Sequence, residues 1–244
     1  RRAVRILPVD SEHNAIFQCL QGHHTKDVAR LILTASGGPF RELPAAELAA
    51  VTPERALRHP TWHMGPKITI DSATLFNKGL EMIEARWLFG VDIEQVGVVV
   101  HPESVVHSMV EFVDGSTLAQ LSHSDMRLPI QYALTWPERI PNSLRPLDLC
   151  KLGALRFEEP RRRDFPALDL ARHAGAVAGT LPAVLNVANE VAVDAFLNGA
   201  VAFPRIWAIV AQVMERHRPI ANPTLDGIVE ADQWARAQAS RLAL

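Results

Sequence analysis

Several features are scarce in this sequence, and each absence excludes something. There are two cysteines in 244 residues, Cys19 and Cys150, far apart and forming no CxxC pair. That leaves no disulfide framework and no structural zinc, and it points to a reducing compartment. Charge of one sign is not in excess: 25 Lys and Arg stand against 27 Asp and Glu, a formal net charge of -2. There is therefore no electrostatic case for a nucleic-acid partner or a membrane surface. The basic run Arg161-Arg162-Arg163 is offset by Glu158, Glu159 and Asp164. No apolar run reaches the ~18 to 20 residues of a membrane span, no stretch reads as a signal peptide, and no internal repeat or GxGxxG fingerprint is found. An initiator Met is missing before Arg1-Arg2-Ala3-Val4-Arg5, so the chain reads as cut, with something expected upstream.

What is present is globular: 48% hydrophobic and 21% charged residues, enough for one large or two modest domains. Val4–Val9 reads as a strand and Ser11–Leu20 as a helix. Val28–Thr34 reads as a second strand, running into the glycine-rich loop Ala35-Ser36-Gly37-Gly38-Pro39. Short helices follow at 45–50 and 52–58. His59–Lys67 has the composition of an irregular loop, and a helix is expected over 72–89. Gln95–Val100 is a β-branched strand, and Asp114-Gly115 marks a hairpin between 104–113 and 116–121. The span 136–165 carries Pro137, Pro141, Pro146 and Pro160 with Pro166 at its edge, as a linker would. Beyond it, helical periodicity covers 166–177, 181–198, 204–217 and 224–242. The expected architecture is an α+β catalytic domain with a mixed sheet (1–136), a linker (137–165) and a small all-α bundle (166–244).

The run Asp71-Ser-Ala-Thr-Leu-Phe-Asn-Lys-Gly-Leu-Glu81 concentrates chemistry. As a helix it places Phe76, Leu80, Ile83 and Trp87 on one apolar stripe and Asn77, Lys78 and Glu81 together on another side. Ser72 or Thr74 would lie near the helix start, where free N–H groups and the dipole favour an anion. Cation, amide and hydroxyls suit a phosphate; Glu81 repels one unless a metal lies near. The competing reading is an amphipathic surface helix with an ordinary polar face.

Other clusters also admit two readings. Asp10 and Glu12 follow the first strand, where α/β folds bind ligands, and oxygen ligands favour Mg²⁺ or Mn²⁺; Asp10 or Ser11 can equally be an N-cap. Ser36 with Gly37 and Gly38 offers donors to an anion, or is a plain turn. Trp62, His63 and Met64 can close over a substrate, or simply pack down, and His59 can reach an anion. Spacing alone does not choose between His101 and His107 as an acid–base or anion-holding group. Asn186, Asn189 and Glu190 read as structural ties in the bundle.

Five strings occur in order: Leu7-Pro-Val-Asp-Ser-Glu-His-Asn14, Thr34-Ala-Ser-Gly-Gly-Pro-Phe-Arg41, His59-Pro-Thr-Trp-His-Met-Gly65, Asp71 to Glu81, and His101-Pro-Glu-Ser-Val-Val-His-Ser-Met109. Together they resemble the 1-deoxy-D-xylulose 5-phosphate reductoisomerase family over nearly the whole chain. The resemblance implies an NADPH- and divalent-metal-dependent isomeroreductase of non-mevalonate isoprenoid biosynthesis, a homodimer of the bacterial cytoplasm or the plastid. It implies metal ligation by Asp10, Glu12 and Glu81, and substrate or phosphate binding by Ser11, Ser36, Ser72, Asn77 and Lys78. His59, Trp62 and Met64 correspond to a flap over the substrate, and His107 matches a second active-site histidine better than His101. The NADPH-binding domain that the family places first is expected to be missing here. The alternative is therefore a redox-inactive, metal- and phosphate-binding, dimerising fragment.

Overall fold

The structure is a computed structural model that describes residues 4–58 and 64–244. Its elements in chain order are α1 (Ser11–Cys19), β1 (Val28–Ala35), α2 (Pro53–Ala56), α3 (Pro66–Thr74), α4 (Phe76–Phe89), β2 (Val96–Val100), β3 (Val106–Phe112), β4 (Thr117–Leu121), α5 (Arg127–Thr135), α6 (Leu149–Leu152), α7 (Ala167–Val177), α8 (Leu181–Leu197), α9 (Arg205–Arg216) and α10 (Leu225–Leu242). The expected fold class holds: a mixed sheet with helices, followed by a helical C-terminal region. Two compact units form, one from residues up to Ser36 with Glu84–Glu159, the other from Gly37–Ile83 with Pro160–Leu244.

The first unit is built on a four-stranded sheet in the order β2-β1-β3-β4. β1 and β2 are parallel, with Leu33 opposite Val98 and Ala35 opposite Val100. β3 returns antiparallel to β1, Leu33 facing Ser108, and the Asp114-Gly115 turn folds β4 back onto β3. β1 reads Val-Ala-Arg-Leu-Ile-Leu-Thr-Ala, and its Leu31 and Leu33 are fully buried, as a central strand of a covered sheet should be. The proline-rich span is tied back by one bridge, Val100 to Glu158.

Val4–Val9, expected as a strand, forms no regular element, and Val4 and Ile6 are exposed. Among the described residues it has no neighbouring strand, and alternation alone cannot supply the hydrogen bonds a strand needs.

In the second unit α8 forms the centre. Leu181, Val184, Leu185, Ala188, Ala192 and Phe196 are buried along it. α9 covers it with Ile206, Ile209, Val210 and Val213, at the i, i+3, i+4, i+7 spacing of an amphipathic helix. Phe40, Phe196, Phe203 and Trp207 meet edge-to-face, with centroids 5.2–5.5 Å apart.

The single helix expected over 72–89 is two helices. α3 ends at Thr74, Leu75 takes the left-handed conformation (φ +66°), and α4 starts at Phe76. A leucine there is strained, so tertiary contacts must hold the corner. Two glycines let it pack. A Cβ on Gly38 would stand 3.0 Å from Ala73 Cα and Ser72 O, and one on Gly79 would stand 2.8 Å from Ala171 Cβ.

Candidate active site

In the first unit the site begins where the extended segment enters α1. Asp10 is the N-cap, its carboxylate accepting from the Ser11 N–H at 3.0 Å. Ser11 is buried and donates its hydroxyl to Glu12 Oε2 at 2.5 Å. Asn14 is also buried, and its amide donates to Pro8 O at 2.9 Å, which fixes the angle at which the chain enters the helix. Both sequence readings of Asp10 therefore remain compatible: it caps the helix, and its exposed carboxylate stands at the helix start.

Two neighbours were not singled out from the sequence. Asp10, His13 and Glu84 each present a ligand atom, all within 4.8 Å of one another. His13 is 1% exposed, its Nδ1 is 3.7 Å from Glu84 Oε2, and its ring stacks on Phe89. The i, i+3 spacing of Asp10 and His13 could have grouped that pair. Glu84 carries no local signal, because it arrives on another helix.

The carboxyl end of β1 carries Thr34 and, just beyond the strand, Ser36. The Thr34 hydroxyl lies 2.7 and 2.8 Å from the carbonyls of Val106 and His107, bracing the start of β3. His107 is buried, and its Nε2 lies 2.9 Å from Ser122 Oγ. A small pocket here is lined by Ser11, Asn14, His107, Ser122 and Asp125 among others. His101 is occupied otherwise. Its Nδ1 meets Arg156 O at 2.8 Å, its Nε2 accepts the Val105 N–H at 3.2 Å, and its ring stacks on Phe157. Both nitrogens of His101 thus serve backbone, which makes it a structural histidine, whereas His107 borders the pocket with Ser11.

In the second unit the chemistry collects around the corner between α3 and α4. Ser72 and Thr74 sit at the end of α3 rather than at a helix start, because Leu75 breaks the run. The helix start belongs to α4, and Asn77 and Lys78 occupy its first turn. The polar side of α4 is not an ordinary solvated face. Lys78 is 6% exposed and Glu81 2% exposed. Lys78 Nζ lies 2.9 Å from Glu81 Oε2, and the Asn77 amide donates to Glu81 Oε1 at 2.6 Å. Of the expected apolar stripe, Phe76 and Ile83 are buried, but Trp87 is 68% exposed.

Asp71 is buried near the end of α3, and burial pushes its carboxyl above the ordinary range, against the pull of Lys67 and Asn189. Lys67 Nζ lies 2.5 Å from Asp71 Oδ2, and the Asn189 amide donates to Asp71 Oδ1 at 2.7 Å. Met64 is half-buried just before α3. His59 and Trp62 lie outside the described residues.

Comparison with known proteins agrees with these motifs. A family model described as the 1-deoxy-D-xylulose 5-phosphate reductoisomerase C-terminal domain matches residues 6–89, and one described as the DXP reductoisomerase C-terminal domain matches 121–238. The 1-deoxy-D-xylulose 5-phosphate reductoisomerase of Pelotomaculum thermopropionicum is 58% identical over 97% of this chain and 61% of its own length. That of Heliobacterium modesticaldum is 60% identical over 97% of this chain and 60% of its own. Among solved structures, the Zymomonas mobilis reductoisomerase in complex with NADPH superposes with a TM-score of 0.90 at 50% identity, over 97% of this chain and 61% of that one. A DOX-P reductoisomerase complex with NADPH, fosmidomycin and magnesium gives 0.88 at 43% identity, over 98% of this chain and 63% of that one. The chain thus spans about three fifths of the length of the relatives it matches.

Proposed function

Since the chain belongs to the 1-deoxy-D-xylulose 5-phosphate reductoisomerase family, we propose that it forms the metal- and substrate-binding part of such an enzyme. The reaction would convert 1-deoxy-D-xylulose 5-phosphate to 2-C-methyl-D-erythritol 4-phosphate with NADPH and Mg²⁺ or Mn²⁺. The observation that carries this reading is the buried polar face of α4. Lys78 and Glu81, three residues apart, are both withdrawn from water, an arrangement costly for stability alone and suited to a ligand bearing an anion and a metal.

The donor set fits a hard cation. Asp10, Glu12 and Glu81 offer only carboxylate oxygens. When bound, the divalent ion supplies Lewis-acid stabilisation of charge on the substrate oxygens. The chain's own residues supply the rest. Asn77 and Lys78 hold and orient Glu81. Ser11 is buried beside Glu12, where its hydroxyl can turn toward a substrate oxygen. Lys78, Ser72, Ser36 and the first turn of α4 receive the phosphate, whose binding energy serves as a remote handle. His107 is held by Ser122 for orientation or proton movement. His59, Trp62 and Met64 cover the substrate and exclude water. No residue of this chain is assigned to the dinucleotide.

The reading extends to a homodimer through the sheet, because the outer edge of β4 is unpaired among the described residues and Leu118 on it is exposed. It extends also to a bacterial cytoplasmic setting. No helix among the described residues is long and apolar enough to cross a membrane. The test is the full-length protein assayed for NADPH oxidation with 1-deoxy-D-xylulose 5-phosphate, with and without Mn²⁺. Metal-dependent turnover supports the reading, and its absence in a folded protein refutes it.

A further inference from the structure

The Asn189 side chain is fully buried in the middle of α8, on a face otherwise made of Leu185, Ala188, Ala192 and Val193. A polar group there loses its water, and an apolar residue of the same size would be expected to pack at least as well. The amide is only half used. Its Nδ2 donates to Asp71 Oδ1, while its Oδ1 is buried with no hydrogen-bond partner among the described residues. An arrangement that sacrifices stability calls for an explanation in what it positions.

What it positions is the residue before Ser72. The Asp71 carboxylate is held from two sides, by Lys67 one turn earlier on α3 and by Asn189 from α8. Four residues later the backbone enters the strained left-handed turn at Leu75, and the Leu75 N–H returns to Ser72 O at 3.3 Å. Gly38 and Gly79 let neighbouring segments press on this corner, but packing alone does not set its rotation. A short hydrogen bond to a buried carboxylate does, because it is directional and stronger than a neutral one.

We propose that Asn189 is a positioning residue for the phosphate end of the substrate: through Asp71 it fixes the last turn of α3 and so aims Ser72 and the first turn of α4 at the phosphate. This rests on the proposed reading of that corner as the phosphate site. Asn189 itself touches no substrate. Its effect passes through the Asp71 carboxylate, so the pair rather than either residue is the functional unit.

The experiment uses the full-length protein and inorganic phosphate as the probe, with binding read by calorimetry and inhibition read from turnover. Asn189→Leu, which keeps volume and removes the amide, is expected to raise the dissociation constant of inorganic phosphate and the KM for the ketose phosphate about tenfold each. kcat and the half-saturating Mn²⁺ concentration are expected to stay within about twofold, while the melting temperature falls by only a few degrees as Asp71 Oδ1 loses its buried donor. Asn189→Asp should impair phosphate binding more, by placing two carboxylates together, and the swap Asp71→Asn with Asn189→Asp should restore it in part. A folded Asn189→Leu protein with unchanged phosphate affinity overturns the proposal, as does a swap that restores nothing. If the wild-type protein binds phosphate but turns over no ketose phosphate, the proposed activity falls, and the phosphate titration of the variants still decides the role of Asn189.

Discussion

Helices α4 and α9 are similar in length, 14 and 12 residues, and both read from sequence as amphipathic, yet they bury different things. α9 buries Ile206, Ile209, Val210 and Val213 and leaves Glu215 and Arg216 exposed. α4 buries Phe76, Met82 and Ala85, but also Lys78 and Glu81, and it exposes Trp87. A helical wheel gives the direction of each side chain but not what lies in that direction. Where polar residues point into the protein and pair with one another there, as Lys78, Asn77 and Glu81 do, stability is a poor explanation and a ligand a good one. The contrast separates a helix that builds the fold from one proposed to build the site.

The sharpest way to break this contrast is to remove one charge from each helix. Glu81→Gln in the full-length protein keeps shape and removes the proposed metal ligand. kcat/KM is expected to fall roughly 10³-fold, with a matching loss of Mn²⁺ affinity measured by titration, on the scale of disrupting a buried charge pair. Glu215→Gln, on the exposed side of α9, should leave both unchanged. Wild-type activity in Glu81→Gln would remove α4 from the site.

A smaller effect separates the helices by packing. Gly79 of α4 has no room for a side chain, since a Cβ would stand 2.8 Å from Ala171 Cβ and 3.2 Å from Ala167 O. In the first turn of α10, a Cβ on Gly227 would meet nothing closer than 3.5 Å. The same substitution should therefore have opposite signs. Gly79→Ala is expected to lose about 1–3 kcal/mol through overpacking, and Gly227→Ala to gain up to about 1 kcal/mol of helix propensity. Urea denaturation of both variants measures this, and equal signs would show that the α4 contact yields freely.

The same distinction explains what could be read in advance. The four C-terminal helices, β1, β2 and the hairpin follow local periodicity and turn chemistry, and the structure places them within a residue or two of the expected bounds. The Leu75 break was not legible, because neither glycine nor proline marks it and the left-handed turn is imposed by packing around the α3–α4 corner. Nor was the failure of Val4–Val9 to form a strand, since a ladder depends on a partner rather than on the segment itself. Asp10, Ser11 and Glu12 were readable as a cluster because they are adjacent in sequence. Glu84 beside Asp10 and His13, and Asn189 beside Asp71, were not, because such meetings are made by the fold. The resemblance to a known family assigned roles to Asp10, Ser11 and Glu12, but none to His13, Glu84 or Asn189.

The smallest effect concerns a buried polar contact in the bundle that is expected to serve stability alone. Thr180 is fully buried, and its hydroxyl accepts the Ile220 N–H at 3.1 Å while lying 2.7 Å from His217 Nε2. The hydroxyl can donate to a neutral Nε2 or, through its second lone pair, accept from a protonated one, so it is the burial of His217 that sets its charge preference. Burial lowers the His217 pKa below the usual 6.5. As pH falls through about 6.5, the unfolded chain takes up a proton that the folded chain does not yet accept, so stability drops; above that value the contribution is fully present. Melting temperatures of the wild type and His217→Gln, compared at about pH 7.5 and about pH 5.5, should show a steeper acid loss in the wild type. kcat/KM at pH 7.5 should be the same in both. An equal acid loss in the two proteins would mean that the tie does not couple to pH, and a change in kcat/KM would mean that the bundle's polar contacts reach the site as those of α4 do.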